Sequence, residues 1–143
     1  MSDPQFVAEA SARAMYEQDR ASQALGMRVL EVRPGYARLA MKVREDMVNG
    51  HQLCHGGLIF TLADSAFAFA CNTYDLVTVA SAGTIEFLLS ARLGDELTAS
   101  AEERSRSKRT GVYDVTVRNG QGECVALFRG RSHQIGGSLT ATP

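Results

Sequence analysis

The chain has 143 residues, of which 45% are hydrophobic and 22% are charged, and its formal net charge is −1. This length predicts a single domain over residues 1–143, because a chain of this size buries about 70% of its unfolded surface in one core. The near-neutral charge gives no electrostatic basis for binding nucleic acid or a membrane surface, and the composition is typical of a soluble globular protein.

The N-terminal residues, MSDPQF, lack the basic region and apolar core of a secretory signal. The most apolar run, residues 58–71, is too short and too interrupted to span a bilayer. Three cysteines are an odd number, and they have no regular spacing, which favours reduced thiols in or near the core. A cytoplasmic protein is therefore expected.

The first elements are a helix and a hairpin. Residues 3–25 carry apolar side chains at helical spacing and are followed by Gly26, so one amphipathic helix with a left-handed cap is predicted. Strands are predicted at residues 27–32 and 36–43, joined by a turn at Pro34-Gly35.

Four more strands are predicted after a central helix, at residues 76–89, 96–104, 112–118 and 123–135. Gly136 and Gly137 begin a polar tail that is expected to fray. The central helix, residues 58–71, is apolar nearly all round and is expected to be buried. Hairpins joined to one apolar helix predict an α+β architecture with a mostly antiparallel sheet curled around that helix. One layer of sheet does not cover every side of such a helix, so a second subunit is implied.

Asp64 is the one charged residue within the central helix. A lone carboxylate is costly to remove from water unless it is paired, hydrogen-bonded or protonated. His55-Gly56-Gly57 precedes the helix, whose first turn leaves backbone N–H groups without internal partners at the positive end of the macrodipole. Glycines there let a ligand oxygen approach the backbone. A tight loop or a capping Asp explains each feature alone, but their conjunction on one apolar helix favours a functional site.

The spacing of these two features predicts a shared site. Asp64 follows Gly56 by eight residues, which places them about 12 Å apart along a helix. A general base, its water and the polarised carbonyl must lie within about 3 Å of one another at each step. If both residues are catalytic, the carboxylate must come from an antiparallel second copy of the helix, so a homodimer with two equivalent sites is predicted.

Two kinds of chemistry are not favoured near the glycines. His51, Cys54 and His55 match no standard zinc spacing, so no metal site is expected. Cys54 has no evident orienting carboxylate nearby, which argues against a cysteine nucleophile.

A basic run lies at a strand-to-strand turn and consists of Arg104, Arg106, Lys108 and Arg109. It is either a solvated hairpin tip or a site for the phosphate groups of a nucleotide-bearing substrate. No aromatic residues interleave with these charges, which argues against nucleic acid as the partner.

Taken in order, short motifs along nearly the whole chain resemble the hotdog-fold acyl-CoA thioesterases, and specifically their phenylacetic-acid-degradation (PaaI-type) group. The matching segments are AMYE at 14–17, NGHQ at 49–52, CHGG at 54–57, LAD at 62–64, ASA at 80–82, TGVYD at 110–114, FRG at 128–130 and IGG at 135–137. The resemblance implies a helix wrapped by a curved antiparallel sheet, dimers that share two sites, and commonly a homotetramer of two such dimers.

The resemblance also implies roles for individual residues. The position of Gly56 donates its backbone N–H to the thioester oxygen, and that of Asp64 activates water or attacks directly. Asn49 and His55 match positions that shape the site, and Ser81, by itself an ordinary strand serine, matches one that assists near the water. We further assign substrate binding to Gly57 and to three basic residues. The basic residues are expected to bind the CoA phosphates, and they are Arg106, Lys108 and Arg109.

The predicted activity is hydrolysis of an acyl-CoA thioester to free acid and CoA, with an aryl-acetyl group such as phenylacetyl or its ring-hydroxylated forms. No cofactor or metal is expected, because coenzyme A is part of the substrate. Two alternatives use the same fold: a non-catalytic acyl-CoA-binding sensor or carrier, and an enoyl-CoA hydratase-type enzyme, which needs a histidine base beside the acidic group.

Overall fold

The computed structural model describes residues 3–141. Three α-helices occur among these residues: α1 (Pro4–Gln18), α2 (Arg20–Ala24) and α3 (Gly56–Cys71). Six strands accompany them: β1 (Arg28–Arg33), β2 (Tyr36–Lys42), β3 (Thr78–Phe87), β4 (Glu96–Arg106), β5 (Thr110–Arg118) and β6 (Cys124–Gln134). A short 3-10 turn, Glu45–Met47, lies between β2 and α3. The predicted bounds of α3 and of the strands agree with these to within two residues.

The strands form one sheet in the order β1-β2-β4-β5-β6-β3, and every neighbouring pair is antiparallel. Helix α3 contacts all six strands, so the sheet curls around it. The predicted α+β arrangement of a curved antiparallel sheet around one apolar helix is confirmed. No helix within residues 3–141 combines the length and apolar character needed to cross a bilayer.

The core lies between α3 and the inner face of the sheet. Alternation along the strands sends apolar side chains inward, and on β5 these are Tyr113, Val115 and Val117, which are all buried. Phe67 of α3 packs over Gly130 of β6, where a Cβ would lie 2.8 Å from the ring. Glycine at position 130 therefore lets the sheet approach the helix closely.

One stripe of α3 is not covered by its own sheet. Gly57 is exposed, and Thr61, Asp64 and Ala68 are only partly buried, whereas Ala66 is fully buried on the opposite side. These stripe residues recur at helical spacing, so they share one face. The expectation of a helix buried on every side is therefore met only in part within one protomer.

The N-terminal segment is two helices, not the single helix predicted over residues 3–25. The Asp19 carboxylate accepts hydrogen bonds from the Ser22 backbone N–H, at 3.0 Å, and from the Ser22 hydroxyl, at 2.7 Å. This capping interaction starts α2 and competes with continuation of α1. Gly26 follows with φ of 70°, the left-handed conformation predicted for the cap.

The C-terminal tail that was expected to fray makes hydrogen bonds to Asp75 within residues 138–140, and residues 142–143 of this tail lie outside the described residues. The Asp75 carboxylate accepts hydrogen bonds from the backbone N–H groups of Leu139 and Thr140 and from the hydroxyls of Ser138 and Thr140, at 2.6–2.9 Å. Although burial acts in the opposite direction, these hydrogen bonds lower the pKa of Asp75. A single carboxylate 63 or more positions away in sequence thus orders a polar segment.

The two edges of the sheet differ. On β1, the side chain of Gln5 donates to the Val32 carbonyl at 2.8 Å, and just before this strand the Tyr16 hydroxyl donates to the Met27 carbonyl at 2.6 Å. Helix α1 therefore covers this edge. The other edge, β3, leaves large apolar side chains such as Val79 and Phe87 exposed.

Candidate active site

The loop before α3 is fixed by Asn49. Its side-chain oxygen accepts hydrogen bonds from the backbone N–H groups of His51, at 2.9 Å, and Leu53, at 3.2 Å. The backbone N–H of Asn49 donates to the Leu53 carbonyl. Asparagine is well suited to such a turn because its short side chain substitutes for a backbone acceptor. The His55 N–H then donates to Met47 at 2.9 Å, which sets the point where α3 begins.

The beginning of α3 leaves backbone donors available. His55 is the N-cap residue, and its side chain makes no capping hydrogen bond. Among residues 3–141, no acceptor receives a hydrogen bond from the N–H of Gly56 or Gly57. A Cβ at Gly57 would meet no atom within 4 Å, so this face of the helix terminus is open. An anion or a developing oxyanion is favoured at such a terminus.

Asp64 lies on the uncovered stripe of α3. It is about half buried, and burial raises the pKa of its carboxyl without an offsetting partner within the described residues. It lies about 12 Å from Gly56 along the helix axis. Within one protomer, the carboxylate and the open helix terminus are therefore too far apart to act on one substrate carbonyl.

Ser81 occupies a β-bulge in β3. The pairing with β6 shifts register between Ala80 and Ala82, so Ser81 is the extra residue on its strand. Its hydroxyl is exposed and donates to the Arg131 carbonyl at 3.2 Å. Bulges redirect side chains and are common beside active sites.

The basic hairpin between β4 and β5 lies at the other end of α3. The Arg106 guanidinium stacks over the ring of Tyr74, 3.7 Å from the ring centroid. Tyr74 lies in the loop that follows α3, shortly after the last helical residue, Cys71. Lys108 and Arg109 are exposed at the tip of this hairpin. Because α3 has 16 residues, the hairpin lies about 24 Å from the helix N-terminus of its own protomer. The fold does not bring these residues to Gly56 within one chain.

Three residues considered for the two disfavoured chemistries lie in the loop before α3: His51, Cys54 and His55. Cys54 is buried, and burial raises the pKa of its thiol, which opposes formation of a nucleophilic thiolate. His51 and His55 are both exposed. Within residues 3–141, no group of three His, Cys, Asp or Glu side chains is arranged to hold a metal ion.

A cleft at the start of α3 contains residues that the sequence did not single out. It has a volume of about 300 Å³ and joins Asn49 and Gly56 to an apolar wall. The wall includes Leu53, Ile59, Phe87, Leu88 and Leu89. Phe87 is 31 positions from Gly56, and only the folded sheet shows that they are neighbours. The sequence contains no local signal for this proximity.

The sequence and the fold correspond to a known family. The family model of the thioesterase superfamily matches residues 51–126, which include α3 and strands β3 to β5. The chain belongs to the thioesterase superfamily.

Two Escherichia coli comparisons extend the similarity to almost the whole chain. The chain is 52% identical to acyl-coenzyme A thioesterase PaaI of strain K12 over 130 residues, which is 91% of this chain and 93% of that protein. The solved structure of the E. coli PaaI protein from the phenylacetic acid degradation operon matches with a TM-score of 0.93 and 50% identity, and covers 95% of this chain and 99% of that one. The expected resemblance to PaaI-type hotdog thioesterases is confirmed.

A more distant structure contains a CoA ester. A protein of Streptococcus mutans UA159, solved with bound acetyl CoA, matches with a TM-score of 0.75 and 26% identity. The match covers 78% of this chain and 90% of that one.

Proposed function

We propose that this protein is an acyl-CoA thioesterase that hydrolyses an acyl-CoA to the free acid and CoA. The observation that carries the proposal is that α3 has both an open N-terminus and a half-buried carboxylate without an offsetting partner, in a member of the thioesterase superfamily. The E. coli relative named as an acyl-coenzyme A thioesterase and the S. mutans structure with acetyl CoA support the substrate class.

The open helix terminus polarises the thioester. The Gly56 N–H donates to the carbonyl oxygen, and its interaction strengthens as negative charge develops on that oxygen during addition. The macrodipole of α3 contributes in the same direction. Gly57 lacks a Cβ, so the thioester reaches the helix end without a steric barrier.

Asp64 supplies either the general base or the nucleophile. As a base, it takes a proton from water, the water oxygen bonds to the carbonyl carbon, and the C–S bond breaks to release CoA as a thiolate that is then protonated. As a nucleophile, the carboxylate bonds to the carbonyl carbon and the C–S bond breaks to release CoA thiolate, which leaves a mixed anhydride that water then hydrolyses. A single turnover in ¹⁸O-labelled water detects the nucleophilic route: water attack at the Asp64 carbonyl of the anhydride places label in Asp64, whereas the base route leaves Asp64 unlabelled.

The active unit is a homodimer in which Asp64 of one protomer faces Gly56 of its partner. The 12 Å offset along α3 requires a second copy. The sheet edges support this arrangement, because α1 covers β1 whereas the outer edge of β3 is open to pair with a second β3. We propose that two such dimers form a homotetramer.

The remaining predicted residues support the two main groups. Asn49 and His55 position the glycine turn, and Ser81 orients the water near the partner's carboxylate. The basic hairpin, with Arg106, Lys108 and Arg109, binds the CoA phosphates. The basic hairpin lies about 24 Å from Gly56 of its own protomer. In an antiparallel dimer, however, the hairpin that serves each site comes from the partner, which also supplies Asp64 to that site.

For the acyl group we propose an aryl-acetyl chain, phenylacetyl or a ring-hydroxylated form. The phenylacetic acid degradation operon of the E. coli structural relative supports this assignment. No metal or prosthetic group takes part, since water, the carboxylate and backbone donors suffice for thioester hydrolysis.

A thiol reagent that reports CoA release tests the function directly. With phenylacetyl-CoA and a panel of other acyl-CoA esters, we expect release of free CoA by the wild-type protein. Binding without CoA release identifies a sensor, and water addition to an enoyl-CoA without thioester cleavage identifies a hydratase. Either of these results would contradict the proposal.

A further inference from the structure

Phe87 lies directly against the open helix terminus. A Cβ on Gly56 would be 3.0 Å from the tip of the Phe87 ring and 3.3–3.4 Å from two adjacent ring atoms. The ring is nevertheless 51% exposed, at the last position of β3. A large aromatic side chain thus touches the backbone that donates to the substrate carbonyl and keeps half of its surface available for contact.

The surroundings of the ring match a small apolar group. The cleft of about 300 Å³ that contains Phe87 is lined by apolar side chains together with Asn49 and Ser90, and no charged residue lines it. Drug-sized ligands occupy pockets of about 300–1,000 Å³. A volume at the lower limit accommodates an acyl group but not a whole acyl-CoA, and a wall without cations is unsuited to phosphates.

We propose that Phe87 is a specificity-determining residue that contacts the acyl group of the bound thioester. This inference rests on the proposed thioesterase function. A carbonyl oxygen at the Gly56 N–H places the adjacent carbon atoms of the substrate next to the Phe87 ring. An aryl substituent then packs against this ring in an offset-stacked or edge-to-face geometry, which aromatic pairs prefer.

The experiment compares kcat/KM for phenylacetyl-CoA with kcat/KM for acetyl-CoA in Phe87→Ala and Phe87→Leu variants. The two esters have the same CoA portion, so their ratio isolates the acyl contact. We expect the ratio to fall about tenfold or more in Phe87→Ala, a size comparable to loss of apolar contact in a specificity pocket, and to fall less in Phe87→Leu. Phe6→Ala is the matched control, because Phe6 is 59% exposed on α1 and does not line the cleft.

Three results would overturn the inference. An unchanged ratio in both variants, with activity on both esters lowered equally, places the ring against the CoA arm. An unchanged ratio with unchanged activity removes Phe87 from the site. Dissociation of subunits in sedimentation, with no change in the ratio, identifies the ring as a subunit contact. Failure of the wild-type protein to cleave any acyl-CoA is a separate result that contradicts the proposed function itself.

Discussion

At the scale of single residues, the two halves of the site carry opposite electrostatic character. Gly56 presents the positive end of α3, and Asp64 places a negative charge in a half-buried position where burial raises its pKa. The sequence made both visible, since a charge in an apolar helix and paired glycines before it are local features. The neighbour of Gly56 was not visible, because Phe87 approaches it only through the packing of β3 beside α3.

The carboxylate gives the first prediction. Asp64→Asn removes the base or nucleophile. We expect kcat to fall about 100- to 10,000-fold, the usual contribution of a positioned base. Circular dichroism should show an unchanged fold. Glu9→Gln, which neutralises an exposed carboxylate on α1, is the control and should retain wild-type activity. An Asp64→Asn variant with full activity would contradict the mechanism.

The raised pKa of Asp64 gives a pH dependence with a defined sign. Because the ionised form is needed, kcat/KM should fall as the pH decreases through a pKa above the ordinary value of 3.8. Stability has the opposite dependence: burial favours the protonated form, so the folded protein loses stability as the pH rises through this pKa. The Tm of Asp64→Asn should therefore equal or exceed that of wild type at pH 7, and the difference should close in acid. A variant whose Tm is lower at pH 7 and recovers in acid would reverse the assigned sign.

The backbone N–H of Gly56 can be tested by substitution with proline, which has no backbone N–H. Gly56 is the first residue of α3, a position where proline is tolerated because that N–H has no helical partner, and His55 already has a compatible extended ψ of 133°. Gly56→Pro deletes the donor, and we expect kcat to fall about 100- to 1,000-fold. The Phe87 ring must shift by a few tenths of an ångström to accept the new ring. Activity within a few-fold of wild type would show that this N–H does not stabilise the oxyanion.

At the scale of elements, hydrophobic periodicity was enough to predict α3 and the strands. The structure departs from the predicted elements at the two ends of the chain, where one carboxylate side chain overrides the sequence pattern. Asp19 divides the N-terminal helix, and Asp75 holds residues 138–140, in both cases because the carboxylate accepts a hydrogen bond from a backbone N–H group. The first bond is local and therefore could be predicted as an N-cap. The second joins residues 64 positions apart and requires the folded chain.

Helix–sheet packing gives a prediction at Gly130. A Cβ there would lie 2.8 Å from three ring atoms of the fully buried Phe67. Gly130→Ala should therefore lower the free energy of unfolding by about 1–3 kcal/mol, the cost of overpacking a core. Gly120→Ala, where a Cβ would meet nothing within 4 Å, should change it by less than about 0.5 kcal/mol. Urea unfolding measures both, and equal stabilities would show that Phe67 moves aside without cost.

At the scale of the whole molecule, the sheet has one edge covered by α1 and one open edge at β3, and one stripe of α3 is left uncovered. The sequence predicted that one sheet would not enclose the helix, because an apolar helix surrounded by a single layer has an uncovered side. The relative positions of the stripe, the open edge and the basic hairpin depended on strand order, which sequence periodicity does not determine. The proposed homodimer, in which two α3 helices lie antiparallel, uses all three features.

Subunit complementation tests the shared site most directly. Gly56→Pro and Asp64→Asn chains, each with a different affinity tag, are mixed through reversible dissociation, and the heterodimers are purified. In a heterodimer, one site combines both altered groups and the other combines wild-type Gly56 with wild-type Asp64. The account predicts that each parent homodimer is nearly inactive and that the heterodimer recovers about half of the wild-type sites, measured as CoA release per protomer. Heterodimers as inactive as their parents would show that each site is built within one chain.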